Sequence, residues 1–547
     1  MSFTRVLIVT IAIGAAACQA AAQRPAPPVT DRPRLAVILV VDQMRHDYLT
    51  RMDGRWRYGL KRLLAEGAVF DETRYPYLQT VTCAGHATIG TGTFPASHGI
   101  ILNAWWRGTR SASCTDDPDA RAIGYEAGAE AAGHSGRQLL RPTLGDRLRE
   151  AGAASRVVTL SIKPRSAIML AGQAGIVTWV DDANVMATSS AFGESAHPAV
   201  KAWIDAHPRT ARRGEVWRPM AAADQYTGLD DGPGEAPPRG WTTTFPHPLS
   251  GAPGTPDPQF FTLWETSPYA DAYLGDLAAA LVTQLELGRG TGVDLLGVSF
   301  SALDYVGHAF GPESHEVQDT LLRLDETIGK LLDHLDTQVG RGRYVLGLSA
   351  DHGVAPVPEA RRLAGLDGGR IVTSRLVETA NQALAAPLGP GRHVVRADYT
   401  QLYLSADARR RVEADRSLLR PALDALAAIP GVDRAFPTAG LEHEHASADP
   451  TIRAAALSHV PGRSGDIVVI PKPYYVIGAA TASGTTHGTL HPYDQHVPLI
   501  FFGAGITAGR LSTPATPADL APTLAAALGV ALPDVDGRAL GAALGGR

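Results

Sequence analysis

Seven consecutive apolar residues, Leu35–Val41, end abruptly at the carboxylate of Asp42. A strand with one face in solvent alternates apolar and polar residues, so an unbroken run is typical of a parallel strand buried on both faces. Comparable runs recur at Arg156–Ser161, Leu295–Phe300, Tyr344–Ser349 and Pro498–Phe502. Helical patterns lie between them, at Pro142–Ala151, Tyr269–Leu287, Val317–Leu335 and Pro517–Leu528. The alternation predicts an α/β fold with a mostly parallel central sheet, helices on both faces, and function at the carboxyl ends of the strands.

Two stretches interrupt this alternation. The chain has 547 residues, which at roughly 150 residues per domain leaves room for more than one unit. The first stretch, 186–265, is dense in Pro, Gly and Trp and is interpreted as a cap insertion. The second, 362–480, has helical patterns of its own at Ser374–Ala386 and Ala406–Ala428 and is interpreted as an inserted α+β lobe. The catalytic core would then comprise 34–361 and 481–547.

The N-terminus has the features of an export signal. Arg5 precedes an apolar run, Val6–Ala17, which is too short to span a bilayer, and small residues follow at 20–22. We therefore expect a signal peptide at 1–22, a proline-rich linker at 23–33, a periplasmic or secreted mature protein, and no transmembrane segment in that mature chain. A lipoprotein attached through Cys18 is the less favoured alternative, because Ala15 is a poor substitute for the Leu-like residue that such cleavage prefers.

The net charge narrows the classes of partner that the chain could bind, and the cysteine content bears on a disulfide. The formal net charge is −5, which gives no support to nucleic-acid binding or to a polybasic membrane anchor. We expect a small-molecule substrate and a monomer. Outside the leader the cysteines are Cys83 and Cys114, and an oxidising compartment would favour a disulfide between them over two free thiols.

Carboxylates and imidazoles follow several of the buried runs. Asp42, Asp304 and the Asp351-His352 pair come after three different runs, and His308 lies one helical turn beyond Asp304. Singly, such an Asp is usually a turn or cap residue and such a His a surface or core residue. Delivered together to one sheet edge, and joined by the later His487, these oxygen and nitrogen groups suit zinc or a similar divalent ion, in a number sufficient for two.

Thr82 is the candidate nucleophile. The small residues after it are compatible with a helix whose N-terminus would favour an anion beside the hydroxyl. The alternative is that Thr82 merely caps that helix. Lys163 and Arg165 follow the run Arg156–Ser161, so both cations are expected at the same edge, where a solvated basic turn is the alternative.

Together these motifs resemble the alkaline phosphatase superfamily. Within it they are similar to exported bacterial alkaline phosphatases with a threonine nucleophile, which are related to nucleotide pyrophosphatases and phosphodiesterases. The motifs are Asp42, Thr82 with Gly85-His86-Ala87, His98-Gly99-Ile100 leading to Asn103, Asp304 with His308, Asp351-His352-Gly353 and His487-Gly488. The resemblance covers about 34–360 and 455–540.

The resemblance implies a role for each matching residue. One zinc would be held by Asp304, His308 and His487. The other would be held by Asp42, Asp351 and His352, with the Thr82 hydroxyl beside it to form a phosphothreonine intermediate. Asn103 would donate a hydrogen bond to a phosphoryl oxygen. His491 and His496 are alternatives to His487, which has the family context Thr-His-Gly.

Lys163-Pro164-Arg165 resembles the Lys-x-Arg pair of the threonine-type monoesterases. Two cationic donors match a terminal phosphate dianion, whereas a diester has a second organic group in that space. The expected function is therefore zinc-dependent hydrolysis of phosphate monoesters. The alternatives are a phosphodiesterase or nucleotide pyrophosphatase and, less favoured, a non-catalytic exported metal-binding protein. A sulfatase is disfavoured because Cys83 lacks the Cys-x-Pro-x-Arg context.

Overall fold

A large sheet forms the centre of the molecule. The computed structural model describes residues 32–250, 258–479 and 484–545. In spatial order, the eleven strands of this sheet are Gly509–Leu511, Ala68–Phe70, Leu499–Gly503, Tyr344–Ser349, Leu35–Val41, Asp294–Phe300, Val157–Ser161, Ile176–Val180, Met186–Ser189, Asp116–Gly124 and Ala132–His134. The five from Tyr344–Ser349 to Ile176–Val180 are mutually parallel. The predicted α/β class with a parallel centre is confirmed.

The edges of the sheet are mixed. Leu499–Gly503 pairs antiparallel with Tyr344–Ser349, although the run at 498–502 resembles the parallel ones in composition. The chain returns from the inserted lobe at the carboxyl edge of the sheet, where His487 lies, so its next strand must run back towards the opposite edge. Met186–Ser189 also pairs antiparallel, with both of its neighbours.

Helices cover both faces of the sheet. Their bounds in the core are Tyr48–Arg51, Gly59–Glu66, Thr82–Thr91, Pro95–His98, Leu144–Ala151, Pro164–Ala171, Pro198–Ala206, Pro258–Glu265, Pro268–Gln284, Ala302–Phe310, His315–Leu335, Pro358–Leu363, Pro492–Gln495 and Leu520–Leu528. One layer packs around Thr82–Thr91 and Pro164–Ala171, and the other around Pro268–Gln284 and His315–Leu335. Both layers contact the strand Asp294–Phe300, so they lie on opposite faces.

The region predicted as a cap begins later than predicted. Met186–Ser189 belongs to the main sheet, so the boundary at 186 is wrong. Beyond it lie the helix Pro198–Ala206 and a small ladder of Val216–Trp217 with His247–Pro248. All residues of Met186–Ser189 are buried, as in the central strands of the sheet. The Pro and Gly content that suggested a boundary at 186 belongs to the loop that follows this strand.

The inserted lobe has its own sheet and its own hydrophobic core. Its antiparallel strands, in spatial order, are Val394–Asp398, Gln401–Leu404, Ile467–Pro471 and Val432–Pro437. Its helices are Thr373–Leu388, Ala406–Ala414, Arg420–Ala427 and Pro450–Ser458. The single helix predicted over 406–428 is wrong. The Asp415 side chain accepts the Ser417 N–H and starts a short turn, and Pro421 then stands in the first turn of a new helix.

Two shorter ladders complete the fold. Gly369–Val372 pairs parallel with Tyr475–Gly478, and Ala104–Arg107 forms a hairpin with Arg110–Ser113. The predicted signal peptide, Cys18 and most of the linker lie outside the described residues. Among the residues that are described, no helix is both long and apolar enough to cross a membrane.

Candidate active site

The predicted ligands converge at the carboxyl edge of the parallel strands. Asp42 directly follows Leu35–Val41, Asp304 lies in the first turn of Ala302–Phe310, and Asp351 and His352 follow Tyr344–Ser349. His487 reaches the same place from the segment after the lobe, and all five side chains are buried. The fold thus brings together residues that are more than 400 positions apart in the chain.

Two groups of these side chains are compact enough to hold a metal ion. Asp42, Asp351 and His352 form one, as predicted, and Asp304, His352 and His487 form the other. In the second group His352 takes the place expected for His308. His308 nevertheless remains at the site, because its Nε2 lies 3.2 Å from Asp304 Oδ1.

The histidines are held with one ring nitrogen turned towards the carboxylates. Nδ1 of His308, His352 and His487 lies 2.9 Å from the carbonyl oxygens of Thr485, Gly353 and Thr80 respectively. A carbonyl oxygen only accepts, so Nδ1 carries a hydrogen, and Nε2 keeps a lone pair whenever the ring is neutral, as a metal ligand must be. The rings of His352 and His487 stack with centroids 3.4 Å apart. Three Nε2 atoms therefore face the buried carboxylates.

Lys163 lies between the two groups. Its Nζ is 2.7 Å from Asp42 Oδ2 and 2.5 Å from Asp304 Oδ2, and the side chain is buried. The predicted position at the active edge is therefore observed, but the ammonium contacts carboxylates. Burial opposes ionisation of Asp304, yet Lys163 and His308 hold the pKa of Asp304 well below its usual range. The carboxylate thus stays ionised, as a metal ligand must.

Arg165 supplies the second cation. It lies in the first turn of the helix Pro164–Ala171, which starts immediately after Lys163. Its Nε is buried and has no hydrogen-bond partner within the part of the chain that the structure describes. A buried guanidinium nitrogen without a partner is a donor that an anionic ligand could satisfy.

Thr82 is the first residue of the helix Thr82–Thr91 and is buried beside the ligand cluster. Its Oγ1 lies 3.4 Å from His352 Nε2. The helix is capped by Val81 and has no side-chain cap, so the alternative reading of Thr82 as a capping residue is not supported. The hydroxyl therefore points into the cluster at the positive end of a helix dipole.

The other two histidines considered for the last ligand lie elsewhere. His491 Nε2 is 2.9 Å from the Pro471 carbonyl oxygen, and His496 stacks on His46 while its Nε2 contacts the Asp71 carbonyl oxygen. Neither belongs to either group of ligands among the described residues. The geometry favours His487.

Gln43 links the two groups, and sequence reasoning missed it. Its side-chain amide donates to Asp304 Oδ1 at 2.6 Å, and its backbone N–H donates to Asp351 Oδ1 at 3.1 Å. It adopts φ 71°, a left-handed conformation that costs a non-glycine residue free energy. Gly307 packs directly against its amide, where any Cβ would collide with it. The Asp-Gln dipeptide after a buried run is the signal that could have identified it.

Asn103 lies near the start of the Thr82 helix. Its Oδ1 accepts the Cys83 N–H at 2.8 Å, and its backbone oxygen accepts the Cys114 N–H at 2.9 Å. The predicted disulfide between Cys83 and Cys114 is present in the structure. Tyr399, from the inserted lobe, lies close to the Asn103 side chain. No motif marks Tyr399, and its presence here shows that the lobe contributes to the site.

The donor set fits divalent metal ions. Asp42 Oδ1 is buried and has no hydrogen-bond partner among the described residues, although His352 Nε2 is 3.5 Å away. Such an orphaned carboxylate oxygen, beside imidazoles with lone pairs, is the arrangement that a cation of the zinc class satisfies. Burial, with the nearby Asp42 charge, also raises the pKa of Asp351 to about 7, which shows how costly these close carboxylates are without a neutralising ion.

The fold and these side chains define an enzyme of a known family. Residues 36–494 match the family model described as type I phosphodiesterase/nucleotide pyrophosphatase. The chain belongs to this family, within the alkaline phosphatase superfamily.

The similar proteins include named phosphatases. The chain is 31% identical over 531 residues to alkaline phosphatase PhoV of Synechococcus elongatus, a match that covers 93% of this chain and 92% of that protein. It is 32% identical over 518 residues to a protein of Myroides odoratus named calcium-transporting ATPase, covering 92% and 93%. The crystal structure of wild-type alkaline phosphatase PafA superposes with a TM-score of 0.85 at 29% identity, covering 94% of this chain and 99% of that one.

Proposed function

We propose that the protein is an exported, zinc-dependent alkaline phosphatase that hydrolyses phosphate monoesters through a phosphothreonine at Thr82. The observation that carries the proposal is the placement of the Thr82 hydroxyl, buried at the start of a helix and 3.4 Å from His352 Nε2. The relatives named alkaline phosphatase support the same activity, and the leader-like N-terminus supports export.

Six side chains would hold two zinc ions. Asp304, His308 and His487 would bind one, and Asp42, Asp351 and His352 would bind the other beside Thr82. Bound there, two divalent ions supply charge for the attacking and leaving oxygens of an in-line displacement. The backbone carbonyls that accept from the Nδ1 atoms orient the three imidazoles for this role.

The chain's own residues perform two displacements. In the first, Thr82 Oγ1 forms a bond to phosphorus while the bond between phosphorus and the ester oxygen breaks, and the alcohol leaves with the proton that the Thr82 hydroxyl gives up. In the second, a water oxygen attacks phosphorus, the bond between phosphorus and Thr82 Oγ1 breaks, and one water proton restores the Thr82 hydroxyl as inorganic phosphate leaves. The positive end of the helix dipole at Thr82 favours the anionic phosphoryl group in both steps.

Three side chains would bind the phosphoryl oxygens. An ammonium has three hydrogens, and two carboxylates accept from Lys163, which leaves one for a phosphoryl oxygen. Arg165 offers the buried Nε described above. The side-chain oxygen of Asn103 accepts the Cys83 N–H, so its amide hydrogens point away from that contact. One of them would donate to a phosphoryl oxygen.

The test compares two esters in two enzymes. We expect the wild type to prefer an aryl phosphate over its methyl diester. Lys163→Ala/Arg165→Ala should lower kcat/KM for the monoester about 10²-fold or more, because charge-assisted hydrogen bonds act mainly on a dianion. The diester rate should change much less. Arg57→Ala/Lys61→Ala, an exposed pair, is the matched control and should change neither rate.

Two results would contradict the monoesterase proposal. If the wild type already prefers the diester, the phosphodiesterase alternative of this family takes its place. If the ratio of the two kcat/KM values is the same in wild type and double variant, Lys163 and Arg165 do not distinguish the esters.

A further inference from the structure

Asn103 is held by both members of the disulfide. Its side-chain oxygen accepts the Cys83 N–H at 2.8 Å, and its main-chain oxygen accepts the Cys114 N–H at 2.9 Å. Cys83 and Cys114 are themselves joined by the S–S bond, and both are fully buried. The S–S bond and these two hydrogen bonds therefore form a short closed ring that includes Asn103. This closed ring is called the circuit below.

The circuit ties two separate pieces of chain together. Cys83 directly follows Thr82, at the second position of the helix Thr82–Thr91. Asn103 and Cys114 flank the hairpin of Ala104–Arg107 and Arg110–Ser113 at its base. The disulfide thus anchors the base of the hairpin to the helix turn that carries the hydroxyl of Thr82.

The anchoring also determines which end of the amide faces the site. Because Oδ1 of Asn103 accepts from the helix, the NH₂ group must point away from it. The amide hydrogens therefore lie on the side away from Cys83, where a ligand oxygen can accept one of them.

We propose that the Cys83–Cys114 disulfide is a positioning device for the reaction: it holds the Asn103 amide at a defined place relative to Thr82. This inference rests on the proposed phosphatase function, in which Asn103 donates to a phosphoryl oxygen. A donor that must meet charge as it develops is effective only when it is already in place, and small displacements weaken it strongly.

A double-mutant cycle tests the proposal. The disulfide is removed by Cys83→Ala/Cys114→Ala, which keeps both backbone N–H donors, in the wild-type background and in an Asn103→Ala background. Substitution is preferable to reduction, because thiol reductants bind zinc. We expect removal of the disulfide to lower kcat/KM for an aryl phosphate about 10-fold when Asn103 is present and less than about 2-fold when it is absent.

A stability control separates positioning from a general loss of fold. Removing the disulfide should also destabilise the chain, by loss of a cross-link in the unfolded state. Leu277→Ala, a buried residue in the helix layer on the other face of the sheet, destabilises by leaving a cavity. All variants are assayed well below their melting temperatures, and Leu277→Ala should leave kcat/KM within about 2-fold of wild type.

A second readout does not need turnover. The Kd for inorganic phosphate should rise on removal of the disulfide only when Asn103 is present. Equal losses in both backgrounds, or no loss in either, would overturn the positioning role while leaving the phosphatase proposal intact. A wild type that neither hydrolyses the aryl phosphate nor binds phosphate would instead overturn the proposed function, and this inference with it.

Discussion

At the scale of single residues, Thr82 has the most direct test. Thr82→Ala should lower kcat for an aryl phosphate on the order of 10³-fold or more, because the covalent route needs the hydroxyl oxygen. The zinc content and the melting temperature should stay close to wild type, since the one hydrogen bond of the Thr82 side chain within the described part of the chain is long, 3.4 Å to His352 Nε2. Steady-state kinetics and metal analysis check the two halves of this prediction.

Thr82→Ser is the matched variant for that test. It keeps the hydroxyl and removes a methyl group, so it should retain part of the activity. Acid quenching during turnover should trap phosphate on residue 82 in both the wild type and Thr82→Ser. Phosphate found on any other residue, or an active Thr82→Ala enzyme, would contradict the assignment.

The site residues that the sequence predicted differ from those it missed in how the fold brings them to the site. Asp42, Asp304 and Asp351-His352 each come directly after a buried strand or in the first turn beyond one, so the order of strands alone predicted their meeting. Tyr399 reaches the site from the lobe, through a docking contact that no local pattern encodes. The position of Gln43 directly after Asp42 could have marked it, but the left-handed backbone that turns its amide towards Asp304 is not visible in the sequence.

At the scale of elements, the helix His315–Leu335 anchors the region between the sheet and Pro258. Asp319 accepts hydrogen bonds from Trp217 Nε1 and Tyr226 Oη at 2.6 Å each, and Glu316 Oε1 lies 2.8 Å from His247 Nε2. All these contacts cross from one helix to a loop-rich segment. A segment with few regular elements is thus held by buried polar pairs, which a hydrophobic pattern cannot predict.

The pair of Glu316 and His247 makes stability depend on pH. Burial raises the pKa of Glu316 to about 9 and lowers the pKa of His247 to about 4, so the folded pair is neutral near pH 7. For Glu316 the folded state binds its proton more tightly than the unfolded chain, whose carboxyl has a pKa near 4.3. Its contribution is complete below that value and is lost as the pH rises towards 9.

Glu316→Gln removes this titration. Between pH 5 and pH 9 the free energy of unfolding of the wild type should fall relative to the variant, by at most about 1.4 kcal/mol per pH unit. Denaturant unfolding at several pH values, with the zinc concentration held constant, measures the difference. Parallel profiles for the two proteins would show that Glu316 does not titrate differently on folding.

The regular elements were predicted to within a few residues where burial is continuous. Tyr344–Ser349 matches its apolar run throughout, and Asp294–Phe300 begins one residue before the run at 295. The direction of Leu499–Gly503 and the break near Asp415 were not predicted. Strand direction depends on where the chain re-enters the sheet, and the break depends on one side chain that bonds its own backbone.

At the scale of the whole molecule, the candidate metal site joins distant parts of the chain. The proposed ligands come from position 42, from 304 and 308, from 351 and 352, and from 487, beyond the inserted lobe. Three of them are buried carboxylates, and Lys163 is the cation that directly contacts two of these among the described residues. Bound zinc ions would therefore neutralise charge and hold the returning segment to the core at the same time.

Removal of metal should consequently affect stability as well as activity. Exhaustive chelation should abolish monoesterase activity and lower the melting temperature, because ions that bind only the folded state stabilise it by about 2.7 kcal/mol at one hundred times their Kd. Zinc at two equivalents per chain should restore both quantities, while calcium, which prefers six to eight oxygen ligands, should not. Metal analysis, calorimetry and an aryl phosphate assay on the same samples make the measurement.

Asp304→Asn should reduce the zinc content to nearly one ion per chain, since it alters one group of ligands and leaves Asp42 and Asp351 in place. Full activity after chelation, or an unchanged melting temperature in protein shown to contain no metal, would contradict a two-zinc site.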